Sequence, residues 1–141
     1  MRTQADAPAP WQRSGDPASA GAVIRVLVAD DSPAFRTVAR QVIELSPGFE
    51  LAGTAATSEE AVELTRTLRP ELVLMDVRMP TMGGLDAALE IGADPGALVV
   101  LISGGRREDT PGISGTDLPY LPKSSFGPAA LRALWEQLRP E

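Results

Sequence analysis

The sequence predicts a doubly wound α/β domain built on a five-stranded parallel sheet. Two patterns carry that expectation. Short apolar runs, continuous rather than alternating, recur at Val23–Ala29, Leu72–Met75 and Ala97–Ile102. A strand that is apolar on both faces belongs in a parallel sheet covered on both sides. Between these runs lie amphipathic stretches with helical spacing, and strand alternating with helix is the pattern of layered α/β domains. A chain of 141 residues, 43% of them apolar, suits one domain with a substantial core.

Residues 1–21 are expected to form a disordered Ala/Pro-rich tail, and residues 22–139 the folded domain. Ala and Pro supply eight of the first twenty residues, and after Met1 no aliphatic side chain larger than Ala occurs there. Such a segment buries too little to offset the entropy of ordering it. Trp11 is read as an incidental tail residue.

The first strand, Val23–Ala29, runs into Asp30-Asp31. Ser32-Pro33 is an N-cap followed by proline at the first helical position. Phe35, Val38, Ala39, Val42 and Ile43 then mark one helix face, closed by Pro47-Gly48. Phe49–Thr54 is the second strand. Thr57 with Glu60 forms a capping box. Ala61, Leu64 and Leu68 follow as the buried stripe, and Pro70 stops that helix. Leu72–Met75 is the third strand, running into Asp76. A short helix is expected from Leu85 to Ile91, ending at Gly92 and Pro95. Ala97–Ile102 is the fourth strand, ending at Ser103, and Leu118–Leu121 the fifth, ending just before Lys123. Pro128 opens a last helix with Leu131, Leu134, Trp135 and Leu138 on one face.

Composition removes several kinds of chemistry. The chain has no Cys and no His, which excludes thiol chemistry and the commonest general base. A net charge of −6 argues against direct nucleic-acid contact, which requires cations against phosphates. No apolar run approaches the roughly 20 residues that span a bilayer, and the first residues lack the apolar core of a signal peptide. A cytoplasmic location without membrane contact is expected.

In a doubly wound sheet, ligands bind beyond the carboxyl ends of the strands. Strand 1 ends there in Asp30-Asp31, strand 3 in Asp76, strand 4 in Ser103 and strand 5 in Lys123. Each residue alone has an ordinary explanation, as a turn, a cap or a solvated charge. Their convergence does not. Three carboxylates close together repel one another unless a cation intervenes. A hard divalent cation such as Mg²⁺ meets that need, since it takes oxygen ligands and commonly shares them with phosphate. Lys123, the one lysine beside twelve arginines, supplies a compact positive charge for phosphate oxygens. Ser103 can donate a hydrogen bond to the same oxygens. This inventory suits in-line phosphoryl transfer, where positioning and charge neutralisation do most of the work. Without His or Cys, the acceptor is expected to be a carboxylate.

These residues resemble the receiver domains of two-component response regulators, the CheY-like superfamily with its flavodoxin-like sheet. The resemblance runs from about Ile24 to Leu138. It rests on Asp30-Asp31, on Asp76-Val77-Arg78-Met79-Pro80 with Met82-Gly83-Gly84, on Ser103, and on Tyr120-Leu121-Pro122-Lys123. It implies that Asp76 is the phospho-acceptor. Asp31, Asp76 and the backbone carbonyl of Arg78 would bind Mg²⁺, with Asp30 acting through water. Ser103 and Lys123 would hold the phosphoryl group, and Tyr120 would move inward as a switch. The implied partner is a sensor histidine kinase or a phosphotransfer protein. The domain would act as a signalling phospho-acceptor in a phosphorelay rather than as an enzyme, with monomer and weak dimer both open.

Three departures from the family pattern stand out. Ser124 follows Lys123 where proline is usual, so a looser, trans loop is expected. Gly83 replaces the usual acidic or amide residue. Arg106–Thr116, where the family places a fourth helix, contains Pro111, Gly112 and Gly115 and a single large apolar residue, Ile113. That stretch is expected to be a degenerate helix or a loop.

Other readings fare less well. A phosphorylation-independent interaction module would not need the full set of acids, Ser103 and Lys123. A haloacid dehalogenase-type phosphohydrolase requires Asp-x-Asp after strand 1, and Asp30-Asp31-Ser32 lacks it. A flavodoxin-type phosphate cradle would be repelled by Asp30-Asp31. The last apolar stripe ends three residues before Glu141, so no DNA-binding module is expected within this chain. A single-domain receiver and the receiver piece of a DNA-binding regulator both remain open.

Overall fold

The computed structural model describes residues 23–79, 84–93, 97–105 and 118–138. The expectations for the 1–21 tail and for Arg106–Thr116 lie outside the described residues, as do Pro80, Met82 and Gly83.

Five parallel strands form one sheet: β1 (Ile24–Ala29), β2 (Phe49–Ala55), β3 (Leu72–Asp76), β4 (Leu98–Ser103) and β5 (Tyr120–Pro122). Their spatial order is β2-β1-β3-β4-β5. The chain therefore leaves β1 to one side for β2 and returns to the other side for β3. That reversal opens a crevice at the carboxyl ends of β1 and β3.

Successive residues of a strand face opposite sides, and the core divides accordingly. Leu27, Ala29, Val73, Met75, Val99 and Leu101 pack under α2 (Ser58–Leu68) and α3 (Gly84–Gly92). Val26, Val28, Leu72, Leu74, Val100 and Ile102 pack under α1 (Pro33–Glu44) and α4 (Pro128–Leu138). All of these strand residues are buried. The continuous apolar runs are thus explained by cover on both faces. Ile43 of α1 and Leu131 of α4 are fully buried, each contributing about 1.5–3 kcal/mol relative to exposure.

Local chemistry sets the helix ends. Ser32 Oγ accepts a hydrogen bond from Phe35 N at 3.2 Å, with Pro33 opening α1. Thr57 caps α2 by accepting from Glu60 N at 3.1 Å. The Glu60 carboxylate reaches back to Ala56 N at 2.9 Å, one residue before the usual partner in a capping box. Arg69 closes α2 in the left-handed region at φ 53°, and the Arg25 guanidinium donates to the carbonyl of Leu68. These groups satisfy a helix terminus that would otherwise leave carbonyls unpaired.

Two features were not visible in the hydrophobic pattern. The β1–β2 register slips between Val26↔Leu51 and Leu27↔Gly53, leaving Ala52 as the extra residue of a bulge. A side chain at Gly53, next to the bulge, would place its Cβ 3.0 Å from Leu68 Cδ1 of α2. In addition, β5 spans only Tyr120–Pro122, because it pairs with no more than Leu101–Ser103 of β4. No cis peptide bond occurs among the described residues, so Lys123–Ser124 is trans as expected. The loop closes into a 3₁₀ turn over Lys123–Ser125, with Phe126 N donating to the Lys123 carbonyl at 3.2 Å.

Candidate functional site

The crevice is assembled from the ends of β1, β3, β4 and β5. Asp30, just past β1, is fully buried. Its N–H donates to the Ala55 carbonyl at 2.9 Å, and its own carbonyl accepts from Arg36 Nη1 at 2.6 Å. Its Oδ1 accepts from Ser32 N at 2.8 Å. Its Oδ2 takes no hydrogen bond of good geometry, but lies 2.6 Å from Lys123 Nζ. A buried carboxylate is tolerated only with such company.

Asp31 is exposed, whereas Asp76 at the end of β3 is buried. One carboxylate oxygen from each of Asp30, Asp31 and Asp76 lies within 4.8 Å of the others. Burial pushes the Asp76 pKa above the ordinary 3.8, and the nearby Asp30 charge pushes it further. The Arg78 N–H, 3.3 Å from Asp76 Oδ1, and the Lys123 ammonium, 3.7 Å from Oδ2, pull it back, and Asp31 adds a smaller upward push. The upward influences prevail. Of the three carboxylates, Asp30 and Asp76 have the Lys123 ammonium within 4 Å.

The donor set fits a small, hard divalent cation. It consists of hard carboxylate oxygens from three residues that repel one another, two of them, Asp30 and Asp76, buried. Mg²⁺ prefers that kind of ligand.

Lys123 follows β5 and is about a quarter exposed. Its ammonium stands 4.6 Å from the centroid of the Phe35 ring. That ring in turn lies 5.8 Å from Phe126, tilted at 45°. Ser103, at the end of β4, is buried, and its Oγ accepts from Gly105 N at 3.1 Å. The Gly105 carbonyl accepts from the Tyr120 hydroxyl. A Cβ at Gly105 would stand 3.8 Å from both Arg78 Nη2 and Ser103 Oγ, so the Arg78 side chain reaches from the β3 loop to the β4 loop.

Among the residues singled out from the sequence, Lys123 meets Asp30 and Asp76 directly, and Asp31 has a carboxylate oxygen within 4.8 Å of those two aspartates. Ser103 and Tyr120 meet each other through Gly105, and Arg78 touches Asp76 through its backbone N–H. Sequence reasoning missed Phe35 and Arg36. The apolar spacing puts Phe35 on the core stripe of α1, where it does pack, but does not reveal its contact with Lys123, and it gives Arg36 no role. The available signal was their position, three and four residues after Ser32, which places them in the turns nearest the Asp30-Asp31 loop.

The model of the response regulator receiver domain matches residues 26–117. A protein-glutamate methylesterase/protein-glutamine glutaminase of Anaeromyxobacter dehalogenans is 44% identical over 79 residues, covering 55% of this chain and 23% of that protein. A relative of the same description from Alkalilimnicola ehrlichii is 36% identical over 104 residues, covering 71% of this chain and 27% of that protein. The matched stretch thus spans less than a third of these curated relatives. Among solved structures, the NarL signal receiver domain of Mycobacterium tuberculosis superposes with a TM-score of 0.75 at 26% identity, covering 85% of this chain and 99% of that one. The response regulator domain of Thermotoga maritima CheB gives a TM-score of 0.66 at 28% identity, covering 83% of this chain and 94% of that one. With the fold, the acidic crevice and a family match over most of its length, the chain belongs to the response regulator receiver domain family.

Proposed function

We propose that this receiver domain is a phosphorylation switch whose acceptor is Asp76. The donor would be a sensor histidine kinase or phosphotransfer protein of a cytoplasmic phosphorelay. One observation supports this above the rest: a buried carboxylate at the end of β3 has an ammonium 3.7 Å away and two further carboxylates around it. That arrangement is costly at rest and becomes useful only when cations and a phosphoryl group share it.

In the transfer, an oxygen of the Asp76 carboxylate attacks phosphorus and a new O–P bond forms. The bond from phosphorus to the donor nitrogen or oxygen breaks, and the leaving group keeps its electron pair. Asp30, Asp31, Asp76 and the carbonyl of Arg78 would hold Mg²⁺, which supplies positive charge against the carboxylates and the phosphoryl oxygens. Lys123 and Ser103 would hold those oxygens. Ser103 Oγ now accepts from Gly105 N. Its own proton stays available to the phosphoryl group, and a shift of Oγ toward that group would pull on Gly105, whose carbonyl holds Tyr120. Tyr120 would thereby register the event at the face formed by β4 and β5. The chain would assist its own phosphorylation and dephosphorylation without acting on a separate substrate. The relatives' printed methylesterase and glutaminase names describe proteins of which the match covers less than a third.

The test is intact mass after treatment with Mg²⁺ and acetyl phosphate. One phosphoryl mass should appear, and Asp76→Asn should abolish it. Undiminished labelling of that variant would rule Asp76 out. No labelling of the wild-type chain by any donor would favour a phosphorylation-independent interaction module.

A further inference from the structure

We propose that Phe35 is a positioning residue for Lys123: its ring holds the ammonium beside Asp76 when the carboxylate that now anchors it is shared with a divalent cation. The inference rests on the reading of the crevice as a Mg²⁺-dependent phosphoryl site.

Among the described residues, Lys123 Nζ meets three groups. Asp30 Oδ2 is at 2.6 Å, Asp76 Oδ2 at 3.7 Å and the Phe35 ring centroid at 4.6 Å. The first two belong to the acidic cluster that a metal ion would occupy, together with Asp31. A dication among these oxygens would weaken their pull on the ammonium and repel it directly. The ring is different. Its negative face attracts the ammonium and takes no part in metal ligation. It is therefore the one neighbour of the three whose attraction survives metal binding.

Phe35 is held at its backbone and backed at its ring. Phe35 lies in the first turn of α1, and its backbone N–H is held by Ser32 Oγ at 3.2 Å. Phe126 packs against it at 5.8 Å between centroids. Phe126 itself closes the turn that carries Lys123, by donating its N–H to the Lys123 carbonyl. One turn thus presents both the ammonium and the ring that backs Phe35. A simple role in the core does not require Phe35 to face a charge.

The chain suits a direct test, because Lys123 is its sole lysine. Lysine labelled selectively with ¹³C gives a single side-chain spin system. In the wild-type protein the Hε protons should be shifted upfield by the Phe35 ring, and should stay shifted at saturating Mg²⁺. Phe35→Leu keeps apolar bulk but removes the quadrupole, so the shift should collapse. Phe35→Tyr keeps the ring and should restore it. Phosphorylation by acetyl phosphate at saturating Mg²⁺ should slow roughly two- to fivefold in Phe35→Leu, the size of one partly exposed cation–π contact, and recover in Phe35→Tyr. The proposal is overturned if the Hε resonance moves to an exposed lysine's position once Mg²⁺ is bound to the wild-type protein. It is equally overturned if Phe35→Leu leaves resonance and rate unchanged. The shift is read with Mg²⁺ alone, so it succeeds or fails independently of whether Asp76 accepts a phosphoryl group.

Discussion

Lys123 Nζ lies 2.6 Å from Asp30 Oδ2 and 3.7 Å from Asp76 Oδ2. The ammonium thus rests on a neighbour of the expected acceptor rather than on the acceptor itself. Asp30→Asn would remove that anchor and also a like charge that raises the Asp76 pKa. Both changes act in one direction: Asp76 should titrate at lower pH in the variant. Carboxyl ¹³C shifts followed through a pH series would show it, and an upward move would contradict the charge arrangement described above.

Asp76 should cost the fold stability at neutral pH. Its folded-state pKa is raised above 3.8 by burial first and by Asp30 next. The folded protein therefore holds that proton more tightly than the unfolded chain does. The corresponding stability is fully present below the unfolded value and is lost as pH rises through the folded one. Asp76→Asn, which cannot ionise, should melt at higher temperature than wild type at pH 7. The advantage should shrink as pH falls toward 3.8. Thermal melts at several pH values without divalent cations test this, and a variant less stable at pH 7 would refute it.

Asp31 is the exposed member of the acidic cluster. Asp31→Asn should hardly alter thermal stability, since no buried group loses a partner. It should nevertheless weaken Mg²⁺ binding by roughly tenfold or more, the order expected for losing a charged ligand. Calorimetric titration with Mg²⁺ measures the change. Unaltered affinity would place the metal elsewhere.

Ser32 serves two neighbours through different atoms. Its side chain caps α1 by accepting from Phe35 N, whereas its backbone N–H donates to Asp30 Oδ1. Ser32→Ala removes only the first. It should cost about 1 kcal/mol of stability, as a lost N-cap does, while Asp30 keeps its backbone donor. Denaturant unfolding gives the loss. A much larger one would mean that the cap also fixes the Phe35 ring.

Much of the site was legible because parallel strands deliver their carboxyl ends to one edge in any spatial order. Asp30, Asp76, Ser103 and Lys123 could be placed at that edge from strand positions alone, and the apolar runs gave the strands. The contacts among them were not legible. Periodicity puts Phe35 on the apolar stripe of α1, and nothing in a stripe says that one ring overhangs the sheet and meets an ammonium. That Lys123 prefers Asp30 over Asp76 depends on about an ångström, which residue order does not encode. The Ala52 bulge escaped for a similar reason. It is a matter of pairing register between β1 and β2, and the apolar pattern of either strand reads the same with or without the extra residue.

The two outermost strands, β2 and β5, are joined through a single aspartate. Asp30 donates its N–H to Ala55 at the end of β2, and its Oδ2 receives the lysine that follows β5. Local openings start where few contacts hold the chain, and an edge strand is paired on one side only. Fraying at either edge would therefore reach the same residue and disarm the charge cluster before the central strands part. Responsiveness to a phosphoryl donor would then be a gauge of sheet integrity. A chain with one loosened margin should fall silent while still resembling a folded protein in its bulk properties.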